Sequence, residues 1–334
     1  MIESLYHESG FLDMGAVLAA PYPYIVVIGA RGVGKTYGAL SDVALDNPRT
    51  FIYFRRTRAI IDLIMEPALN PFKRINADRQ TDIRPEYSKG IGRFYMGEKK
   101  LIGYAAALST FANVRGFDGS DIDVMIYDEF IPEPGEIVRY NTYLALLNAY
   151  ETINRNREFE GRPPLKLLML SNSDNIYNDI VSGFGLGDEL LQMQESGIEQ
   201  MEHTDQMLLI RPAAPVFSSK KQETALYRIA GSRFTDVALS NRFAIEDRAN
   251  VRERPLKEYI PVAAISGICI YKHKNAGRYY VSRRKMGAPK EYGAGETERR
   301  RYVREQLPIW RAYERRKIDY EGIDVQTIFR QIYT

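Results

Sequence analysis

Tyr24-Ile25-Val26-Val27-Ile28 leads without a break into Gly29-Ala30-Arg31-Gly32-Val33-Gly34-Lys35-Thr36, and Tyr37-Gly38-Ala39-Leu40 follows. The first five residues form a short apolar run, as expected of a strand buried on both faces. The next eight fit G-x-x-x-x-G-K-[ST] at every fixed position, and the last four read as the first turns of a helix. Strand, glycine-rich turn and helix in that order make a cradle for phosphate. Glycines let successive backbone N–H groups point inward, and the helix N-terminus adds partial positive charge. In such a cradle Lys35 reaches the β- and γ-phosphates and the Thr36 hydroxyl ligates magnesium.

A second segment turns a phosphate binder toward hydrolysis. Val124-Met125-Ile126-Tyr127 is a core-strand pattern ending in two adjacent carboxylates, Asp128 and Glu129. Asp128 suits a magnesium ligand, and Glu129 suits a general base that polarises the attacking water. Thr50–Phe54 reads as another strand, and Arg93–Met96 with Lys99–Leu108 as a hairpin running into a further one. A strand inserted between the phosphate loop and the acidic strand is the order of ATPases with a catalytic glutamate. The chain holds no N-K-x-D, the guanine-selecting pattern of GTPases. Leu165–Leu170 reads as a neighbouring strand ending in Ser171-Asn172. Asn172 at its tip either touches the γ-phosphate or attacking water, or belongs with Ser173-Asp174 to a helix N-cap. A helix is expected over 139–158, with Leu144, Leu147, Tyr150 and Ile153 as its apolar stripe. Arg155 and Arg157 lie at its end, as partners of the helix dipole or as a finger offered to a neighbouring subunit.

The chain has 334 residues, enough for two domains, with one cysteine, Cys269, and three scattered histidines. That leaves no disulfide framework and no Cys-based zinc site. No apolar run approaches membrane-span length and the N-terminus lacks a signal pattern, so a soluble protein of a reducing compartment is expected. Net charge is +3 but uneven: residues 246–334 hold 20 Lys and Arg against 12 Asp and Glu, and residues 1–245 hold 26 against 31. The basic cluster Arg299–Lys317, on a helix interrupted near Pro308, is either a solvated face or a contact for nucleic acid or capsid. Glu199–Asn241 reads as an irregular linker or small subdomain. Ala263–Tyr271 and Arg278–Arg283 read as a β-hairpin turning at Lys274–Gly277. The fold class is therefore α/β, a P-loop NTPase over 1–200, a linker over 201–245 and a small α+β domain over 246–334.

With these residues quoted, the chain resembles the DNA-packaging ATPases of small, short-tailed double-stranded DNA phages with protein-primed replication. Their best-known members come from Bacillus phages whose motor uses a packaging RNA. The resemblance rests on Gly29–Tyr37, Phe51-Ile52-Tyr53-Phe54-Arg55-Arg56, Ile126–Ile131, Arg155-Asn156-Arg157-Glu158, Leu170-Ser171-Asn172, Phe217-Ser218-Ser219 and Ser240-Asn241-Arg242-Phe243. It is strong over residues 24–245 and faint beyond. It implies ATP and Mg2+ as cofactors, bound by Gly29, Ala30, Arg31, Gly32, Val33, Gly34, Lys35, Thr36 and Tyr37, with Thr36 and Asp128 on the metal. Glu129 is then the catalytic glutamate, and Arg155 the trans-acting arginine finger. Arg58 stands where the family has an interface lysine, and Arg157 is a second interface candidate. The resemblance further implies a homopentameric ring on the portal vertex of a prohead in the host cytoplasm, threading double-stranded DNA, with packaging RNA as a further partner and no membrane. It also implies a C-terminal RNase H-like domain without catalytic acids. Accordingly, Ala263–Tyr271 carries no Asp or Glu, and no nuclease activity is expected. Two other readings compete. A helicase or cellular DNA pump of the same division would separate strands, and a nucleotide-gated assembly switch would bind ATP with negligible turnover.

Overall fold

The computed structural model describes residues 1–114, 116–132, 138, 140–172, 176, 178–213, 219, 223–229, 250–293 and 295–333. Contacts divide the chain into two compact units, Met1–Asn175 with Gln192–Ala244, and Ile176–Leu191 with Ile245–Thr334.

The first unit is built on nine strands: β1 (Tyr24–Ile28), β2 (Phe51–Arg55), β3 (Arg84–Ser88), β4 (Ile91–Met96), β5 (Lys100–Ala107), β6 (Val124–Asp128), β7 (Lys166–Ser171), β8 (Gln200–Thr204) and β9 (Met207–Ile210). Their spatial order is β3-β4-β5-β2-β6-β7-β1-β9-β8. The six strands from β5 to β9 run parallel, while β3, β4 and β8 pair antiparallel at the edges. Sequence explains the division. Strands β1, β6, β7 and β9 are near-continuous Val, Ile, Leu and Met and are buried on both faces, as parallel sheets require. Burying each such side chain contributes about 1.5–3 kcal/mol. Edge strand β3, Arg-Pro-Glu-Tyr-Ser, instead has every second residue exposed. This is the α/β, mostly parallel architecture expected of a P-loop NTPase; β2 to β5 lie between the phosphate loop and acidic β6 in chain order, and β7 lies between β1 and β6 in space.

Two local readings are corrected in this unit, and one strand is additional. Residues 200–210 are not irregular linker. They form β8 and β9, and β9 extends the parallel sheet beside β1 because Met207–Ile210 is wholly apolar and buried. The helix expected over 139–158 spans Thr142–Asn154. Asn141 caps its start by accepting from the Leu144 N–H, and Arg155 ends it at φ +44°. Its buried stripe runs through Leu146, Ala149, Tyr150 and Ile153, while Leu144 is exposed. Strand β3 had no distinct signal, since its Pro85 and alternating charges resemble a loop.

The second unit holds β10 (Tyr259–Ile265), β11 (Ile268–His273), β12 (Tyr279–Ser282), β13 (Lys290–Glu291) and β14 (Ile318–Tyr320), ordered β13-β10-β11-β12-β14. Ala263, Ile265, Ile268, Ile270, Val281, Tyr302, Ile309 and Phe329 form its core. The run read as one strand, Ala263–Tyr271, is two antiparallel strands. Ser266 (φ +51°) and Gly267 (φ +77°) make the two-residue turn between them. The turn over Lys274–Gly277 is present, closed by the His273 N–H donating to the Arg278 carbonyl at 2.9 Å. The basic stretch forms two helices, Glu296–Glu305 and Leu307–Glu314, with Pro308 in the first turn of the second. Strand β14, a final helix, Ile323–Gln331, and helix Asp179–Phe184 from the earlier segment also belong to the unit.

Candidate active site

The phosphate loop leaves β1 at Ile28 and enters a helix at Lys35–Ser41. Gly34 caps that helix at φ +98°, in the left-handed region where a side chain is strained. Gly29 is needed for proximity, since a Cβ there would lie 2.9 Å from Pro212 Cγ. Ala30 and Val33 turn their side chains into a small apolar cluster and offer the loop only their backbone. Arg31, Gly32, Gly34, Lys35, Thr36 and Tyr37 line a cavity of about 1000 Å³ together with Asp128, Glu129 and Asn172. Residues from three strand ends, those of β1, β6 and β7, therefore converge on one concavity.

Lys35 is buried, and its Nζ donates to the Gly29 carbonyl at 2.8 Å, the Ala30 carbonyl at 2.9 Å and Asn172 Oδ1 at 3.1 Å. Asn172 reaches the lysine because β7 lies directly beside β1, with Ser171 paired to Ile28. The helix-cap alternative for this stretch is not realised by Asn172: the next helix, Asp179–Phe184, is capped by Asn178, which accepts from the Ile180 and Val181 N–H groups. Ser173-Asp174 lie outside the described residues, as do Phe217-Ser218, Ser240–Phe243 and Arg139.

The Thr36 hydroxyl lies 3.2 and 3.1 Å from the two carboxylate oxygens of Asp128. A hydroxyl and a buried carboxylate at this spacing are hard oxygen donors, the set that suits Mg2+. Two residues to which the sequence reading gave no role in the site fix Asp128. Tyr53 on β2 donates its hydroxyl to Oδ2 at 2.6 Å, and Arg55 two residues on lies 4.0 Å from the same oxygen. Burial, then the Asp128 charge, pushes the Tyr53 phenol well above its ordinary value, so Tyr53 remains a donor. Burial lowers the Arg55 guanidinium's proton affinity, but Tyr53, Asp128 and Glu129 together raise it further than burial lowers it.

Glu129 begins the turn after β6 at φ +53°, a conformation costing a non-glycine residue about 1–2 kcal/mol. The turn is held from both sides: its N–H donates to Asp128 Oδ1 at 3.0 Å, and its carbonyl accepts from the buried Arg56. Its carboxylate pairs with Arg55. Arg55 and Arg56 thus set the glutamate at the cavity wall.

The remaining arginines behave differently. Arg155 is half-exposed and donates to the Thr152 carbonyl at 3.1 Å and the Phe117 carbonyl at 2.7 Å. It does not line its own chain's cavity. Topology gives the reason: helix Thr142–Asn154 runs back from the cavity edge of the sheet to the edge where β7 begins. Thirteen residues of helix span about 20 Å. Arg157, expected at an interface, is turned inward instead. Its guanidinium is 5% exposed and donates to the Ile122 carbonyl, to Asp123 at 3.0 Å and to the Pro163 carbonyl at 3.2 Å. It fastens the turn after the helix. Arg58 opens helix Arg58–Ile64 with an exposed side chain 3.8 Å from Asp62.

His7, Phe11, Asp13, Asp42, Asp46, Asn47, Asp78 and Arg79 also line the cavity and were not singled out from sequence. The N-terminal segment reaches it because the Leu12 N–H donates to the Val33 carbonyl at 3.0 Å. No local pattern announces that contact. For Tyr53 and Arg55 a signal existed: they occupy alternate positions of a strand beside the acidic strand, and so share one face.

A family model described as Podovirus DNA encapsidation protein (Gp16) matches residues 7–290. The DNA packaging protein of Bacillus phage phi29 is 26% identical over 234 residues, 68% of this chain and 64% of that protein. The DNA packaging protein of Bacillus phage B103 is 28% identical over 235 residues, 68% of this chain and 66% of that protein. The matched region thus spans just under two thirds of these relatives' length. Among solved structures, the bacteriophage Phi-29 viral genome packaging motor assembly aligns over 99% of both chains at TM-score 0.68 and 19% identity. The Phi-28 gp11 DNA packaging motor aligns over 98% of this chain and 97% of that one, at TM-score 0.64 and 18% identity. At those identities the two structures establish a shared fold.

Proposed function

The chain belongs to the Podovirus DNA encapsidation protein (Gp16) family, and from that membership we propose that it is a genome-packaging motor ATPase. It hydrolyses ATP to drive double-stranded DNA into a preformed prohead. The observation that carries this reading is the meeting of Lys35, Thr36, Asp128, Glu129 and Asn172 in one cavity beside a left-handed glycine cap.

Lys35 exchanges its bonds to the Gly29 and Ala30 carbonyls for phosphate oxygens, and the loop's N–H groups bind the rest of the triphosphate. Thr36 and Asp128 would hold Mg2+, which would supply charge neutralisation on the phosphates. Glu129 takes a proton from the attacking water once its carboxylate leaves Arg55, and Asn172 orients the γ-phosphate side. Arg155, remote from its own cavity, completes the site of the next subunit, which calls for a ring with head-to-tail interfaces. Arg58 contributes to that interface. A pentamer on the portal vertex in the host cytoplasm, with packaging RNA as a further partner, belongs to the same proposal. DNA is held mostly through phosphates, so binding weakens steeply with salt.

The division into an ATPase domain and a basic C-terminal domain without nuclease activity is part of this reading. Strands β10 and β11 carry no Asp or Glu. Buried Asp319 on β14 is bonded by Arg252, Arg254 and Arg278, an arrangement that neutralises a carboxylate rather than offering it to metals.

The test is ATP turnover with and without long duplex DNA, by Glu129→Gln and Arg155→Ala proteins alone and mixed with each other. DNA stimulation of wild type, little turnover by either variant alone and partial recovery on mixing the two are expected. Turnover that ignores DNA, with nothing recovered on mixing, would refute a shared-site motor.

A further inference from the structure

Phe159 is 91% exposed, the most exposed phenylalanine among the described residues. It does not sit on a fraying loop. The turn that carries it, 155–162, is closed by the Glu160 N–H donating to the Asn156 carbonyl at 3.0 Å and the Gly161 N–H to the Glu158 carbonyl at 3.1 Å. The Arg162 N–H donates to the Arg157 carbonyl at 2.9 Å. Asn154 ties the turn's two flanks together: its Nδ2 donates to Glu158 Oε1 at 3.0 Å, and its Oδ1 accepts from the Leu165 N–H at 2.9 Å. From below, the buried guanidinium of Arg157 anchors the turn to Ile122, Asp123 and Pro163, and Arg162 donates to the Ser120 carbonyl at 2.8 Å. The result is a fastened projection with two outward side chains of note, Arg155 and Phe159.

Keeping a phenylalanine solvated at a fixed position forfeits the free energy of burying it, unless another surface covers the ring. The same turn holds Arg155, which does not line its own chain's cavity and which the proposed function assigns to the site of a second copy. We propose that Phe159 is an apolar anchor that seats in the face of the adjacent copy of this chain, around that copy's phosphate loop, and so positions Arg155 there. The inference rests on the trans role of Arg155 proposed above and adds the residue that makes the contact productive. An aromatic anchor beside a charged group is the usual composition of an interface centre: the ring supplies adhesion and the charge supplies function. Phe159 is a positioning residue and touches no reacting atom.

Because Phe159 is fully solvated in the single chain, its replacement leaves the fold intact, and the denaturation midpoint of the monomer should not move. Phe159→Ala is expected to weaken self-association about tenfold or more in sedimentation velocity with ATP and magnesium, and Phe159→Asp to abolish it. Phe159→Leu should restore it. Binding of a fluorescent ATP analogue to dilute monomer should stay at the wild-type value for all three. Mixing supplies the decisive arm. Phe159→Asp and Glu129→Gln proteins are each inactive alone. In the mixture, a Glu129→Gln chain presents its intact turn to the intact cavity of a Phe159→Asp chain. Turnover should return in part, because the interfaces that form are those made by a Glu129→Gln turn, and a share of them meets the intact cavity of a Phe159→Asp chain. Arg155→Ala mixed with Glu129→Gln is the control. If the control recovers turnover while the Phe159 variants assemble and hydrolyse like wild type, Phe159 is no anchor, although Arg155 still acts in trans. If the control recovers nothing, the trans reading of Arg155 falls and this proposal with it. Intact assembly with loss confined to DNA-stimulated turnover would assign Phe159 to a different partner and also overturn the proposal.

Discussion

Tyr53→Phe isolates one hydroxyl whose part in the site is visible only in three dimensions. It donates to Asp128 Oδ2 at 2.6 Å, and both side chains are buried, Tyr53 at 1% and Asp128 at 4% exposure. A buried hydrogen bond to a charged acceptor contributes about 1.5–3 kcal/mol. The ring stays, so no cavity is opened and the loss is confined to that bond. Asp128 retains the Glu129 N–H on Oδ1, and Oδ2 keeps the longer contacts to the Thr36 hydroxyl at 3.1 Å and Arg55 at 4.0 Å. Outer partners that orient a metal-binding carboxylate typically cost about 10–100-fold in metal affinity or activity when removed. The bond energy converts to about the same range, since 1.36 kcal/mol is a factor of ten. The assay is steady-state ATP hydrolysis at saturating ATP across free magnesium concentrations, paired with denaturant unfolding. The expected result is a magnesium midpoint raised about tenfold or more, with stability lowered by about 1.5–3 kcal/mol. A variant whose stability falls while its magnesium midpoint and maximal rate stay at wild type would show that the hydroxyl serves folding alone. The argument that it orients the metal carboxylate would then be wrong.

Two further outcomes follow from buried charges. Arg157→Met should destabilise the first unit by about 3 kcal/mol in denaturant unfolding, because it leaves the Ile122 and Pro163 carbonyls without their donor. Surface Arg162→Met, measured in parallel, should cost well under half as much. Asp319→Asn should destabilise the second unit by about 3–5 kcal/mol, by leaving three guanidiniums crowded without their shared anion. Burial raises the Asp319 pKa, but Arg278, Arg252 and Arg254 outweigh burial and hold it below the ordinary value. Its folded value therefore lies below its unfolded one. Its contribution is fully present above the unfolded value and is lost as pH falls through the folded one. Wild type should lose stability across that acid window more steeply than Asp319→Asn, as read by unfolding midpoints at successive pH values.

What the sequence determined alone was chemistry encoded in contiguous residues. Gly29–Thr36 specifies its own backbone path, because left-handed glycines and a helix start within eight residues leave few alternatives. Apolar runs ending in Asp128-Glu129 and in Ser171-Asn172 identify buried parallel strands and the residues at their tips, because a strand surfaces where its apolar run stops. The same local logic failed where neighbours in space decided the outcome. Met207–Ile210 is too short to identify itself among polar residues, and it becomes β9 only because β1 offers it an edge. Ala263–Tyr271 looks like one apolar strand, and only packing on a small core selects the turn at Ser266-Gly267. Arg155 and Arg157 stand two residues apart in identical local company. One is half-exposed and the other buried, because the chain turns at Arg155 (φ +44°) and brings Arg157 against Ile122, Asp123 and Pro163. Tyr53 and Asp128 are 75 positions apart and bond because β2 and β6 are adjacent. Sequence thus set which groups the chain carries, and strand order set which of them meet.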